Sequence, residues 1–302
     1  MSPHHNNHRC NRQHRRSHLQ GMTLLELTLA TTILVMIAGA MTALASVVQS
    51  SSDISFTNAT VTQHGRVALE RIERAISSAT ATEYFPGCFV YSEQIDRWTY
   101  PDTLIVWYPE EAPADPDGFP FVDELVVFCP NPNSPTDLLE IRLRDGNGAA
   151  PALDDTDGWQ MLMTEFKYGN TATRVSLTHL LRVAAPGIDS SMPERGVVRF
   201  DVRLCPSADE WNEFKLGTRQ WNDLSWAQGI HGSGTGLRQT WCRIELQLQT
   251  HEFTEIAAPN PNAGKPKPGG PEGVKPRPDT RDADTTTPFF GSGTVYHELH
   301  RS

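Results

Sequence analysis

Several short stretches of this 302-residue sequence carry residue types that do chemistry. His297-Glu298-Leu299-His300 offers the donor set of a zinc hydrolase. It is one residue short of the H-E-x-x-H spacing that turns two imidazoles toward one metal from a single helix face. His251-Glu252 lacks a second histidine altogether. Gly232-Ser233-Gly234-Thr235-Gly236 has neither the Gly-Lys-Ser/Thr of a phosphate-binding loop nor the spacing of a nucleophile elbow, and reads as a flexible loop. Asp154-Asp155-Thr156-Asp157-Gly158 and Asp115-Pro116-Asp117-Gly118 gather carboxylates near a turn glycine, as hard cations require. Neither completes a twelve-residue calcium loop, so both read as solvated acidic turns. Five histidines (His4, His5, His8, His14, His18) crowd the first 21 residues without a defined ligand spacing. No catalytic set emerges: the expectation is a protein that is not an enzyme, with no cofactor and no metal.

The most informative ionisable group is a single carboxylate in apolar surroundings. After Glu26 no charged residue follows until Asp53, and Leu27 to Val48 is rich in Leu, Ile, Val, Met and Ala. About 20 such residues, rising ~1.5 Å each, cross a hydrocarbon core of roughly 30 Å. A carboxylate in such a helix costs roughly 2.5–3.5 kcal/mol on insertion scales, so it needs a partner and a purpose. Arg9, Arg12, Arg15 and Arg16 precede the segment with no acid among them, which places the N-terminus in the cytoplasm and the body outside. Three readings compete. One is an uncut signal anchor. Another is a secretory signal peptide cut near Ala43-Leu44-Ala45, although its apolar region exceeds the usual 7–15 residues. The third is a leader cut after Gly21.

Gly21-Met22-Thr23-Leu24-Leu25-Glu26 resembles the cleavage and methylation motif of type IV pilins and pseudopilins. The resemblance implies that a membrane prepilin peptidase cuts between Gly21 and Met22, that Met22 is then N-methylated, and that Glu26 serves assembly as the fifth mature residue. Met22 departs from the phenylalanine most common in the family, which tolerates other hydrophobic residues there. A glycine before the cut lets the peptidase approach an extended backbone closely. Gly65 to Ile76 is similar to the stem of minor pilins and J-type pseudopilins, and the strands near Arg195–Leu204 and Trp241–Gln249 share that likeness. The implied partners are prepilin peptidase, other pilin or pseudopilin subunits and the inner membrane, with the chain crossing once and its head extracytoplasmic. The implied role is a minor pilin or pseudopilin of a type IV pilus or type II secretion filament. A signal-anchored or secreted binding protein or enzyme with an unrecognised site is the alternative.

The elements around these residues follow from periodicity. Val61, Ala68, Leu69, Ile72, Ala75 and Ile76 recur at spacings of three, four and seven, predicting an amphipathic stem to Ala79 that continues the membrane helix. From Glu83 the period becomes two. Leu139/Ile141/Leu143, Val198/Phe200/Val202/Leu204 and Ile244/Leu246/Leu248 alternate with polar residues, predicting half-buried strands. Thr103–Tyr108 and Glu124–Phe128 are more continuously apolar and suit central strands. Pro-, Gly- and Asp-rich stretches at 109–120, 129–137, 144–158 and 205–236 read as large loops. The expected fold class is α+β, a long N-terminal helix packed on an antiparallel sheet. The expected divisions are a cleaved leader (1–21), the helix (22–79, transmembrane about 24–48), a β-rich head (80–256), a disordered Pro/Gly-rich linker (257–288) and a C-terminal tail (289–302) that either docks or frays.

Net charge is −10, or −14 without the four leader arginines, which argues against nucleic acid as a partner. Of five cysteines, Cys10 lies in the leader, leaving Cys88, Cys129, Cys205 and Cys242. None forms a Cys-x-x-Cys pair, and an even set in an exported domain suits two disulfides. Cys205 ends one predicted strand and Cys242 begins another. Antiparallel pairing would bring them together, leaving Cys88–Cys129 by elimination among three possible connectivities. Trp211, Trp221 and Trp226 fall in the 205–236 loop, where they either pack locally or form a binding face.

Overall fold

The computed structural model describes residues 23–95, 98–144, 146, 148–184, 194–249 and 286–301. The leader and the Gly21–Met22 cleavage expectation lie outside these residues, as does most of the expected linker. The chain divides into two compact units, residues 1–55 and 56–302. Helix α1 (Leu24–Ser77) supplies the described part of the first unit and opens the second. The class is α+β, as expected.

In the second unit the buried positions of α1 are Val61, Gly65, Ala68, Leu69, Ile72, Ala75 and Ile76, the stripe its periodicity predicts. The opposite face is held by exposed ion pairs such as Arg74 Nη2–Glu70 Oε1 at 2.6 Å, worth a few tenths of a kcal/mol. Five strands then form an antiparallel meander: β1 (Cys88–Ile95), β2 (Trp98–Trp107), β3 (Leu125–Asn131), β4 (Ser134–Leu143) and β5 (Ala172–Thr178), in that spatial order. This sheet is covered on both faces, which explains its unbroken apolar runs. Leu104, Val106, Val126, Phe128 and Leu138 pack with the stem. Ile105, Trp107, Leu125, Val127, Ile141 and Leu143 pack with Trp159, Met163 and Phe166 of α2 (Thr156–Tyr168). Helix α2 sits partly inside a stretch expected to be loop. Asp155 caps it by accepting from the Gly158 amide at 3.0 Å, which assigns the acidic turn a structural task.

A short ladder pairs β6 (Val183–Ala184) with β7 (Arg195–Gly196). The remaining strands, β8 (Val198–Cys205), β9 (Thr235–Gln249) and β10 (Thr286–His300), form a second antiparallel sheet with β9 central. Its Phe200, Ile244, Leu246, Leu248 and Val295 join the same core as the stem. Each fully buried Ile, Leu or Phe here contributes roughly 1.5–3 kcal/mol. Between β8 and β9, α3 (Ala208–Lys215) opens with a capping box. The Glu210 amide donates to Ser207 Oγ at 3.2 Å, and the Ser207 amide donates to Glu210 Oε2 at 3.0 Å.

The C-terminal stretch docks. Strand β10 pairs residue for residue with β9 over fifteen positions, from Thr286↔Gln249 to His300↔Thr235. It therefore begins within residues expected to be linker. It also lies directly on the stem. A Cβ on Gly293 would stand 2.7 Å from Ile76 Cγ2, one on Gly291 2.6 Å from Glu73 Oε1, and one on Gly65 2.6 Å from the Phe289 ring. Glycine at these positions lets strand and helix backbones approach closely. The Ser292 amide donates to Glu73 Oε1 at 3.0 Å, closing the contact.

Candidate functional site

The described part of the first unit is a helix whose side chains are exposed along its length, including Leu27, Leu29, Ile33, Leu34, Val35, Met36, Ile37, Leu44 and Val48. Among the described residues α1 is the one helix long and apolar enough to cross a membrane. Its threonines and serines are compatible with a lipid setting because their hydroxyls are bonded internally. Thr28 donates to the Leu25 carbonyl at 2.9 Å, Thr32 to Thr28 at 2.8 Å, Thr42 to Ala38 at 2.9 Å and Ser46 to Ala43 at 2.8 Å.

Glu26 is the carboxylate of this segment, placed in the first helical turn. Its Oε2 accepts from the Thr23 amide at 3.0 Å and from Thr23 Oγ1 at 3.2 Å, while the Glu26 amide donates to Thr23 Oγ1 at 3.3 Å. This is a capping box, and the helix dipole favours a negative charge there. The carboxylate is thereby held at the head of the helix, four residues along the chain from Met22. The arrangement can bind a positive group presented at the helix N-terminus.

Two of the head's charged clefts hold acids fixed by ion pairs and hydrogen bonds. One, of about 310 Å³, is bordered by Glu93 of β1 and Lys167 of α2. Lys167 Nζ lies 2.8 Å from Glu93, Arg195 2.7 Å from Glu93 and 2.8 Å from Asp102, and the Arg195 guanidinium covers the Tyr100 ring at 4.5 Å. Burial pushes the Glu93 carboxyl upward, but bonds to Lys167 and Arg195 outweigh it and hold it below the usual carboxylate range. Burial raises the Asp102 carboxyl despite Arg195. Two acids and two bases thus neutralise one another in a fixed network tying β1, β2, α2 and β7. The other cleft, about 560 Å³, is bordered by Glu110, Glu124 and Arg142. Glu124 accepts from Trp107 Nε1 at 2.9 Å and from the Ala114 and Phe121 amides at 2.7 and 2.9 Å, while Glu110 meets Arg142 at 3.5 Å. In both clefts these groups are spent on structure.

The remaining motif residues take ordinary places. His297-Glu298-Leu299-His300 lies on β10, where consecutive side chains point to opposite faces, so it forms no helical metal pair. Burial, then Arg238 and His300, depress the His297 imidazole. Gly236 makes room for the Trp226 indole, 2.6 Å from where a Cβ would be. Trp211, Trp221 and Trp226 are buried together with Leu224 and Leu299, so they pack locally and do not form an open binding face. No group of three or more His, Cys, Asp or Glu converges for a metal among the described residues.

Two expectations need correction. Cys205 and Cys242 do not meet, because β9 begins at Thr235, seven residues before Cys242. Cys205 therefore stands opposite Gln239, and Cys242 opposite Val202. Cys88 and Cys129 lie on opposite faces of the first sheet, one in the stem core and the other in the α2 core. All four thiols are free. The alternation of β4 also misplaced Glu140. It is buried against the stem, where Arg71 grips it through Nε at 2.6 Å and Nη2 at 2.9 Å. That bidentate bond, more than the burial opposing it, raises the Arg71 guanidinium. Glu140 reads as a solvent-facing residue in sequence, and only the stem's position turns it into an anchor. No family model, curated protein or solved structure matches this chain.

Proposed function

We propose that this protein is a minor pilin or pseudopilin: a subunit cut after Gly21 by prepilin peptidase, methylated at Met22 and assembled through its helix into a type IV pilus or type II secretion filament. The observation that carries this reading is Glu26, a lone carboxylate in the first turn of an exposed membrane-length apolar helix, four residues after Met22. Cleavage would free a positive amine on Met22. In a filament a neighbouring subunit's amine would take over the Glu26 carboxylate from Thr23, neutralise both charges and set the axial register. Before assembly the helix is held in the inner membrane, N-terminus cytoplasmic and head outside. The side chains from Leu24 to Val48 then exchange lipid for neighbouring helices. The large head, with its Trp-rich segment and α2, suits a low-copy or tip subunit.

Glu26→Gln separates the charge from the cap, since glutamine still accepts from the Thr23 amide. The variant is expected to be processed and membrane-bound yet absent from sheared or co-purified filament fractions. Incorporation of Glu26→Gln at the wild-type level would rule out the charge-pairing role.

A further inference from the structure

Cys88 opens β1 and Cys242 lies in the middle of β9, the central strand of the second sheet. Both are fully buried in the core shared by the stem and the two sheets. The segments carrying them are fixed side by side. Two residues before each cysteine, Thr240 Oγ1 donates to the Pro86 carbonyl at 2.6 Å. One residue before Cys88, a Cβ on Gly87 would stand 3.2 Å from Val295 of β10. The two thiols are near enough to perturb each other's ionisation, and the Cys242 thiol lies 3.7 Å from the Arg243 carbonyl. The other two cysteines have no such counterpart: Cys129 is sealed on the far face of the first sheet near Lys167, and Cys205 ends β8 opposite Gln239.

We propose that Cys88 and Cys242 form a disulfide when the head folds outside the cytosol, linking the first strand of one sheet to the central strand of the other. The pairing follows from the packing alone; the oxidising location rests on the export reading above. The bond forms before the core closes. In the folded state the neighbouring Cys88 thiol and burial hold the Cys242 thiol far above its usual range, so the attacking thiolate is not available there. In the open chain one cysteine thiolate attacks a sulfur of a disulfide oxidant, such as oxidised glutathione or a protein disulfide oxidoreductase, and expels one oxidant thiol. The second cysteine thiolate attacks the mixed disulfide and expels the other. The chain loses two protons and two electrons, and the oxidant's disulfide leaves as two thiols.

The test is to denature and reduce the purified full chain in detergent, refold it in a glutathione redox buffer, block free thiols and digest with trypsin without reduction. The expected product is the peptide spanning residues 75–97 linked to that spanning 239–243, with Cys129 and Cys205 alkylated. Closing a loop of about 155 residues is expected to raise the Tm of the oxidised protein by about 10–20 °C over the reduced one. A link through Cys129 or Cys205, or no link on refolding, overturns the pairing. The same map on protein taken from cells is expected to show the link. A link formed in vitro but reduced in the cell overturns the extracytoplasmic oxidation while leaving the pairing in place.

Discussion

Replacing Gly293 with valine tests whether the C-terminal strand is built onto the stem. A Cβ there would lie 2.7 Å from Ile76 Cγ2 and 2.8 Å from Ile76 Cβ. Ordinary carbon contacts are ~3.5–4.0 Å, so strand or helix must give by about 1 Å. Ile76 is fully buried and cannot turn aside. Gly293 is not among the residues with positive φ, so valine meets no backbone obstacle and the conflict is purely one of contact. Overpacking of this kind costs about 1–3 kcal/mol, a Tm loss of about 2–12 °C for a head of this size. Ile76→Ala alone removes a buried side chain and costs about 2–5 kcal/mol. The added valine then fills part of the space, so Gly293→Val with Ile76→Ala is expected to be more stable than additivity predicts, by ~0.5–3 kcal/mol. Tryptophan-fluorescence melts of the full chain in detergent measure all four proteins. A Gly293→Val protein within ~0.5 kcal/mol of the parent, or strictly additive changes, would refute the close approach.

Two further outcomes follow from the head's charges. Arg71→Met is expected to destabilise the head by about 1–3 kcal/mol, because it strips the buried Glu140 carboxylate of its bidentate partner, while Arg71→Met with Glu140→Met recovers most of the loss; denaturant unfolding of the set decides it. His297, lowered by burial and then Arg238 and His300, and His64, lowered by burial and then His179, both take up protons less readily folded than unfolded. Stability is therefore expected to be full above pH ~6.5, the unfolded histidine value, and to fall as pH drops through it. His297→Gln should flatten that slope in Tm-versus-pH series, and an unchanged slope would contradict the assignment.

What the sequence revealed tracks how local each signal is. The stem stripe from Val61 to Ile76, the double-buried runs of β2 and β3 and the alternation of β8 and β9 depend on neighbours three or two positions away, and the structure has them as expected. Helix α2 carried a readable signal, Trp159, Met163 and Phe166 behind an Asp155 cap, but adjacent Pro, Gly and Asp obscured it. Strand β10 was obscured more deeply. Gly291 and Gly293 argue against a strand when read alone, and their reason lies more than 200 residues upstream in Glu73 and Ile76. Glu140 and Cys242 failed in the same way, since the stem's position and the true start of β9 decide their partners. Glu26 was legible throughout, because a carboxylate in an apolar run is conspicuous without any tertiary information.

The most direct test of the filament-subunit account is the mature N-terminus, read by mass spectrometry on protein from membranes of cells with and without prepilin peptidase. The account predicts a chain beginning at N-methylated Met22 only when the peptidase is present. An uncut chain in both strains, or a start after Ala45, would contradict it.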